Sequence, residues 1–322
     1  MDEIALTIGT VLASTLRMAT PLILCALAGT VSERAGVIDL GLEGKMLATA
    51  FAAASAGAMT GSLPLALLAA IAVGVALSML HGYGCVSHRG DQVVMGMAIT
   101  MTAAGLTVVL GIAWFKQGGQ TLPIPDTVRL EPWFAGLGAT ISKVPLIGPV
   151  LAGLFGHASL VYLAFVLVFA VWWLLYRTRL GLRLRAAGEN PAMVDAAGVS
   201  VIGLRYLALA GNGVLSALAG CYLVLALNPQ FIPNMTAGRG YMALAAMIFG
   251  KWHPVGAFMA CLLFGFLDAL SIRLQGATIG GVSVPVQAIQ ALPYVMTVVL
   301  LAGFIGRAYA PKALGVPYVK ER

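Results

Sequence analysis

Asp39, Glu43 and Lys45 crowd into seven positions just before an apolar run, residues 46–59, with Gly36, Gly41 and Gly44 among them. Ionised side chains at membrane depth are costly unless they face a wet cavity or one another, and glycines permit broken helices whose freed backbone groups line such a cavity. The trio reads either as a gate or substrate path, or as a cap near the inner surface in which Asp39 or Glu43 pairs with Arg34 or Lys45. Asn212, the only side-chain amide in residues 204–227, fits substrate contact or a helix–helix hydrogen bond. Arg239, between Gly238 and Gly240, suits the docking of an outside protein, and Asp268 with Arg273 suits an interfacial pair or an outward docking surface. His81, His88, His157 and His253 fall in different segments, so neither a metal site nor a catalytic triad is expected. Cys25, Cys85, Cys221 and Cys261 are scattered one to a segment and read as small buried hydrophobes. Paired carboxylates and activated nucleophiles are not found, so no catalytic residue is expected.

The elements that position these residues follow from composition. Of 322 residues, 60% are hydrophobic and 10% charged, more apolar surface than a water-soluble domain of this length can hide. Residues 63–86, 93–115, 159–176, 204–227, 254–272 and 284–306 carry few or no charges. At about 1.5 Å per residue, roughly 18 to 24 residues cross a hydrocarbon core of about 30 Å. Ten-residue units of alternating polarity are absent, which argues against a β-barrel. The expectation is an all-α, polytopic bundle of about 8–10 transmembrane helices, some of them broken, forming one domain over residues 1–322. The acidic start, MDEIALTIGT, predicts no cleaved leader. Residues 18–31 are the expected first crossing, with residues 4–16 either an interfacial helix or an extra crossing.

Orientation follows from the basic residues. Arg177, Arg179, Arg183, Arg185 and Arg205 flank one loop, and Arg307, Lys312, Lys320 and Arg322 crowd the carboxyl end, so both are expected in the cytoplasm. Alternation then puts a loop of about residues 116–158 and residues 228–238 outside, and His88, Arg89, Lys251 and His253 inside. The same clustering beside apolar spans accounts for the net charge of +7 without nucleic-acid binding. Gly44-Lys-Met-Leu-Ala and Gly240-Tyr-Met-Ala-Leu-Ala open short apolar helices that point in opposite directions, as an inverted repeat would.

Within the inner loop of about residues 177–201, Asn190 is a suitable N-cap, Pro191 suits the first helical position, and Gly198 is a natural stop. The two turns between them are too short to persist alone in water. Met193, Val194, Ala196 and Ala197 almost encircle the segment, so protein must cover it. The cover is either this chain's own inner face or a separate motor subunit that grasps the helix for coupling.

Three separated stretches carry a family resemblance: Thr178-Arg-Leu-Gly-Leu-Arg-Leu-Arg-Ala-Ala-Gly-Glu-Asn-Pro followed by Ala196-Ala-Gly-Val, Ser32-Glu-Arg-Ala-Gly-Val-Ile-Asp-Leu-Gly-Leu-Glu-Gly, and Gly238-Arg-Gly-Tyr-Met-Ala-Leu-Ala-Ala-Met-Ile-Phe-Gly-Lys-Trp-His-Pro-Val-Gly-Ala. The chain resembles the inner-membrane permeases of bacterial ABC importers for branched-chain amino acids, simple sugars and nucleosides. It looks closest to the branch served by nucleoside-binding lipoproteins of the basic membrane protein type. The resemblance implies a multi-pass subunit of the inner (plasma) membrane that pairs with a second permease, as a heterodimer, above ATP-binding subunits and beneath an extracytoplasmic substrate-binding protein. It implies coupling to the ATPase through Arg185, Gly188, Glu189, Asn190, Pro191, Ala197 and Gly198. Asp39, Glu43, Thr100, Asn212 and Arg239 are the expected path or gate. Two of these depart from the family pattern: Asp39 stands where Asn is expected, and Thr100 where relatives tend to carry Asn. No G-x-x-x-x-G-K-[ST] loop occurs, so this chain is expected to hold no cofactor, with ATP and magnesium bound by partners. Nucleosides are the expected cargo and simple sugars the alternative. An ion-coupled secondary transporter, the competing class, would need a carboxylate or histidine at mid-membrane, which the spans do not convincingly offer.

Overall fold

The computed structural model describes residues 2–141, 148–275, 278–279, 282–283, 286–291, 295–296 and 309–320. Most of the expected span 284–306 lies outside these residues, as do Arg307 and Arg322. In chain order the helices are α1 (Asp2–Arg34), α2 (Leu42–Thr60), α3 (Leu63–Gly82), α4 (Gln92–Phe115), α5 (Ala135–Ile141), α6 (Gly148–Ala152), α7 (Ser159–Arg177), α8 (Arg179–Glu189), α9 (Pro191–Ala196), α10 (Val201–Tyr222), α11 (Arg239–Phe249), α12 (Pro254–Leu274) and α13 (Val286–Gln290). One short antiparallel pair, Thr278–Ile279 with Val282–Ser283, interrupts them. Wider π turns at Tyr83–Ser87 and Leu223–Leu227 extend α3 and α10. Among the described residues, six helical stretches are long and apolar enough to cross a membrane. The fold is an all-α membrane bundle, as the composition requires.

Two expectations change. Residues 4–16 are neither an interfacial helix nor a separate crossing: α1 runs unbroken for 33 residues, about 50 Å at 1.5 Å per residue. The segment 177–201 holds two helices, because Thr178 caps α8 by accepting from the Gly181 amide at 3.1 Å. α8 buries Gly181, Leu184, Ala187 and Gly188 on one side, so the arginine-rich stretch is amphipathic helix.

α1 and α10 form the buried centre, with Leu22, Leu24, Leu27, Leu209, Ala217 and Leu223 all fully covered. α3, α4 and α7 turn Leu68, Met101, Val109 and Phe169 outward. Lipid tails are as apolar as leucine, so helices in a bilayer associate through close packing more than through burial of apolar surface. Glycines supply that closeness here. A Cβ on Gly74 of α3 would lie 2.4 Å from the Gly213 carbonyl of α10, and one on Gly220 would lie 2.6 Å from the Met46 carbonyl of α2.

The two ends of the bundle are distinct. At the basic end Arg34 donates to the carbonyls of Trp252 and Lys251 and to the Tyr176 hydroxyl, and Ser87 pairs with Tyr206. At the opposite end Arg273 donates to Thr7 and Thr10, and the Leu130 amide bonds the Leu225 carbonyl. Arg273 therefore turns to α1, and no ion pair joins it to Asp268 among the described residues. Among its described residues the loop of about 116–158 carries α5, α6 and a 3-10 turn at Asp126–Val128.

Candidate functional site

At the basic end four helix starts are capped by their own flanking side chains, Asp91, Thr178, Asn190 and Ser200 each accepting from backbone amides two or three residues further on, whereas α12 starts at His253 without such a cap. The starts of α2 and α11 have no such side-chain cap on their glycine N-cap residues. Both begin inside the bundle, and carboxylates serve them instead. Asp39 accepts from the Gly41 amide at 3.0 Å. Glu43, in the first turn of α2, accepts from the Gly238 amide at 2.9 Å and the Gly240 amide at 2.6 Å. A carboxylate at a helix start satisfies orphan N–H groups and opposes the positive end of the helix dipole. The approach is close because a Cβ on Gly240 would lie 2.5 Å from the Glu43 Cα. The two stretches that resembled an inverted repeat thus meet start to start. α11 has 11 residues, about 16 Å, and is too short to cross.

Around this junction the expected path residues come together. Asp39 and Lys45 are wholly buried and form an ion pair at 2.5 Å. The Asn212 amide is the hub: its Oδ1 accepts from Lys45 Nζ at 3.1 Å and Ser78 Oγ at 3.2 Å, and its Nδ2 donates to the Ala28 carbonyl at 3.0 Å and Ser32 Oγ at 3.2 Å. Four helices, α1, α2, α3 and α10, are tied by one side chain. His81 Nδ1 stands 3.5 Å from the second Asp39 oxygen. Asp39 and Asn212 are each bonded inside the bundle and meet through Lys45, while Arg34 goes to the Trp252 carbonyl. Thr100 bonds its own Gly96 carbonyl, and a Cβ on Gly44 would lie 2.4 Å from the Thr100 Cα, so this is where α2 and α4 touch. Arg239 donates to the Met235 carbonyl and lines a cavity of about 330 Å³ with Asp268, Ser271, Gln275 and Met18. Of the five expected path residues, Arg239 lines the cavity, Asp39, Glu43 and Asn212 are buried at the helix junction, and Thr100 stands at the α2–α4 contact.

The residues expected to couple to a motor divide in two. Asn190 caps α9 through Oδ1 to the Met193 amide at 3.2 Å, and Pro191 opens the helix. At its end the Gly198 amide bonds Asp195 and the Val199 amide bonds Val194, with Gly198 at φ +77°, a left-handed glycine stop. Val194 is buried on the bundle, whereas Met193 is 70% exposed. The short helix is therefore docked on one side and bare on the other, with Glu189, Ala197 and Gly198 on the exposed surface. Arg185 and Gly188 belong to the interior side. Arg185 donates to the Leu175 carbonyl and lies over the Tyr176 ring, and a Cβ on Gly188 would strike the Arg34 carbonyl at 2.3 Å.

Sequence reasoning missed His81, Ser78 and Ser32 in the network, and the buried bond from Trp252 Nε1 to Glu33. Ser78 and His81, three apart on α3, share a helix face, which was the available signal. It also took Arg205 as an orienting charge, yet its side chain is fully buried and donates to the Val316 carbonyl.

Residues 11–305 match the family model described as branched-chain amino acid transport system / permease component. The chain is 38% identical to the guanosine ABC transporter permease protein of Bacillus subtilis, over 96% of each chain. It is 36% identical to the nucleoside ABC transporter permease protein of Lactococcus lactis, over 98% of each. At 35% identity, over 96% of this chain and 97% of the other, it is similar to a Haloferax volcanii protein named provisionally as a glucose ABC transporter permease.

Proposed function

The chain belongs to the branched-chain amino acid transport system permease family, and from that premise we propose that it moves purine nucleosides inward across the membrane. It is a multi-pass permease subunit of an ABC transporter in the cell's inner membrane, working with ATP-binding subunits and a substrate-binding protein. We propose that its pore partner is a second, different permease, that this chain has no catalysis of its own, and that it needs no cofactor because ATP and magnesium are bound by its partners. The basic end is then cytoplasmic, with the loop of residues 177–201 facing the ATPase and residues 116–158 facing the periplasm.

The observation that carries the mechanism is the half-bare α9, capped at both ends and standing out at the basic end. A motor that grips it can move it as a unit, because the caps hold its shape. Motion passes to α8 through the Asn190 joint, and from α8 to the end of α1, where Gly188 touches the Arg34 carbonyl. The α1–α2 bend follows, since Asp39 and Lys45 hold it against α10. Glu43 then carries the displacement into α11 and so to Arg239 on the cavity wall. Arg239 and Asp268 supply a donor and an acceptor at membrane depth, where charge is tolerated beside a wet path. A neutral solute rich in hydroxyl and amide groups suits such a wall.

A simple sugar is the second reading, favoured by the glucose-named relative. Calorimetry on the purified substrate-binding partner decides between them: guanosine and adenosine are expected to bind, and a preference for ribose, galactose or glucose would overturn the nucleoside assignment.

A further inference from the structure

We propose that residues 311–320, at the carboxyl end, form with α9 a single docking surface for the ATP-binding subunit. This rests on the reading of α9 as the helix the motor grips.

The inner side of this segment is fixed by a chain of bonds. The Ala313 amide donates to the Gly188 carbonyl at 2.8 Å, and the Gly315 amide donates to the Gly36 carbonyl at 3.3 Å. The Lys312 amide reaches Glu189 Oε2 at 3.4 Å, and Arg205 Nη1 holds the Val316 carbonyl at 3.1 Å. A Cβ on Gly36, at φ +89°, would lie 3.2 Å from the Ala313 carbonyl oxygen and 3.3 Å from the Gly188 Cα. The segment is thus anchored at the α8–α9 joint and at the α1–α2 bend, and cannot swing away from α9 while these bonds hold.

Its outer side is built like half an interface. Val316 and Val319 are 50% and 52% exposed, beside Met193 at 70% and Leu182 at 60%. These residues stand at the basic end beyond the apolar spans, where large bare side chains in water mark a protein-binding surface. α9 lies between two grooves. One, of about 600 Å³, is walled by Leu182, Arg183 and Ala186; the other, of about 420 Å³, is walled by Pro317, Tyr318 and Val319. Arg179, Arg183 and Lys312 are exposed around them, and Lys320, also exposed, stands 3.9 Å from Asp195, which leaves Glu189 as the other acidic group on this face. An apolar centre with a basic rim fits a protein that offers apolar side chains ringed by carboxylates. The ATP-binding subunit, meeting α9 from this side, is that partner.

The test uses the whole transporter with its ATP-binding subunits. The native cysteines Cys25, Cys85, Cys221 and Cys261 are buried, so Met193→Cys, Val319→Cys and the control Gln117→Cys, exposed in the loop after α4 at the opposite end, each add one reactive thiol. With a short thiol-to-amine cross-linker, the first two are expected to yield an adduct with the ATP-binding subunit and the control none. An adduct at 193 with none at 319, or an adduct at 319 with the second permease or lipid alone, overturns the proposal and leaves α9 as the coupling helix. No adduct at either position overturns both. Deletion of residues 317–322 is expected to weaken capture of the ATP-binding subunit about tenfold, the loss of one interface anchor; undiminished capture overturns the proposal.

Discussion

Lys45→Met would leave the Asp39 carboxylate buried without its cation, and breaking a buried pair from one side costs about 3–5 kcal/mol. We expect the variant to melt well below the parent in detergent, and Asp39→Asn combined with Lys45→Met to recover most of the loss. A double mutant no better than the single one would show that the pair is not the source of the effect. His253, at the start of α12 against the Tyr176 ring, has its pKa lowered by burial and then by the Arg34 charge. Protonation therefore favours the unfolded chain, so this contribution is present above the ordinary histidine pKa of about 6.5 and is lost as pH falls below it. Melting temperature is expected to drop between about pH 7 and pH 5, and His253→Gln to flatten that slope. At this scale the sequence was partly legible. The pairing of Asp39 with Lys45 and the helix–helix role of Asn212 were open alternatives, because charge and amide chemistry allow few partners in lipid. His81 was not legible as a neighbour of Asp39, since that depends on where α3 crosses α10 at Gly74 and Gly213.

α9 was legible almost to the residue, because capping is local chemistry: Asn190, Pro191 and Gly198 act within two turns of their own positions. α8 was not, since a run of arginines beside a membrane looks like an orienting loop until its buried Leu184 and Ala187 are seen on one face. Gly198→Val forces a β-branched residue to φ +77°, and left-handed backbone costs such residues roughly 1–2 kcal/mol. Glu189→Lys reverses a charge on the same exposed joint. Both variants are expected to insert normally and keep ATP hydrolysis while uptake falls, measured in reconstituted vesicles. Unchanged uptake in both would mean that α9 packs on its own bundle and does nothing more.

For the molecule as a whole, hydropathy located five of the six long spans among the described residues and shortened the first, which runs the length of α1, while the clustering of basic residues matches the grouping of Arg34, Lys251 and the carboxyl-terminal segment at one end. Reporter fusions at Asn190 are expected on the cytoplasmic face; a periplasmic signal would invert the assembly and remove the coupling assignment. The meeting of α2 and α11 start to start was visible only as a weak echo between Gly44-Lys-Met and Gly240-Tyr-Met, because what joins them is a carboxylate reaching across space to backbone amides. The arrangement limits how the protein can open. With Glu43 clasping two amides of α11 and no room for a methyl group between them, the broken helices cannot slide past each other. While that clasp holds, the two helix starts move as one unit, and in the proposed mechanism a small push at the inner surface is expected to swing the wall that carries Arg239.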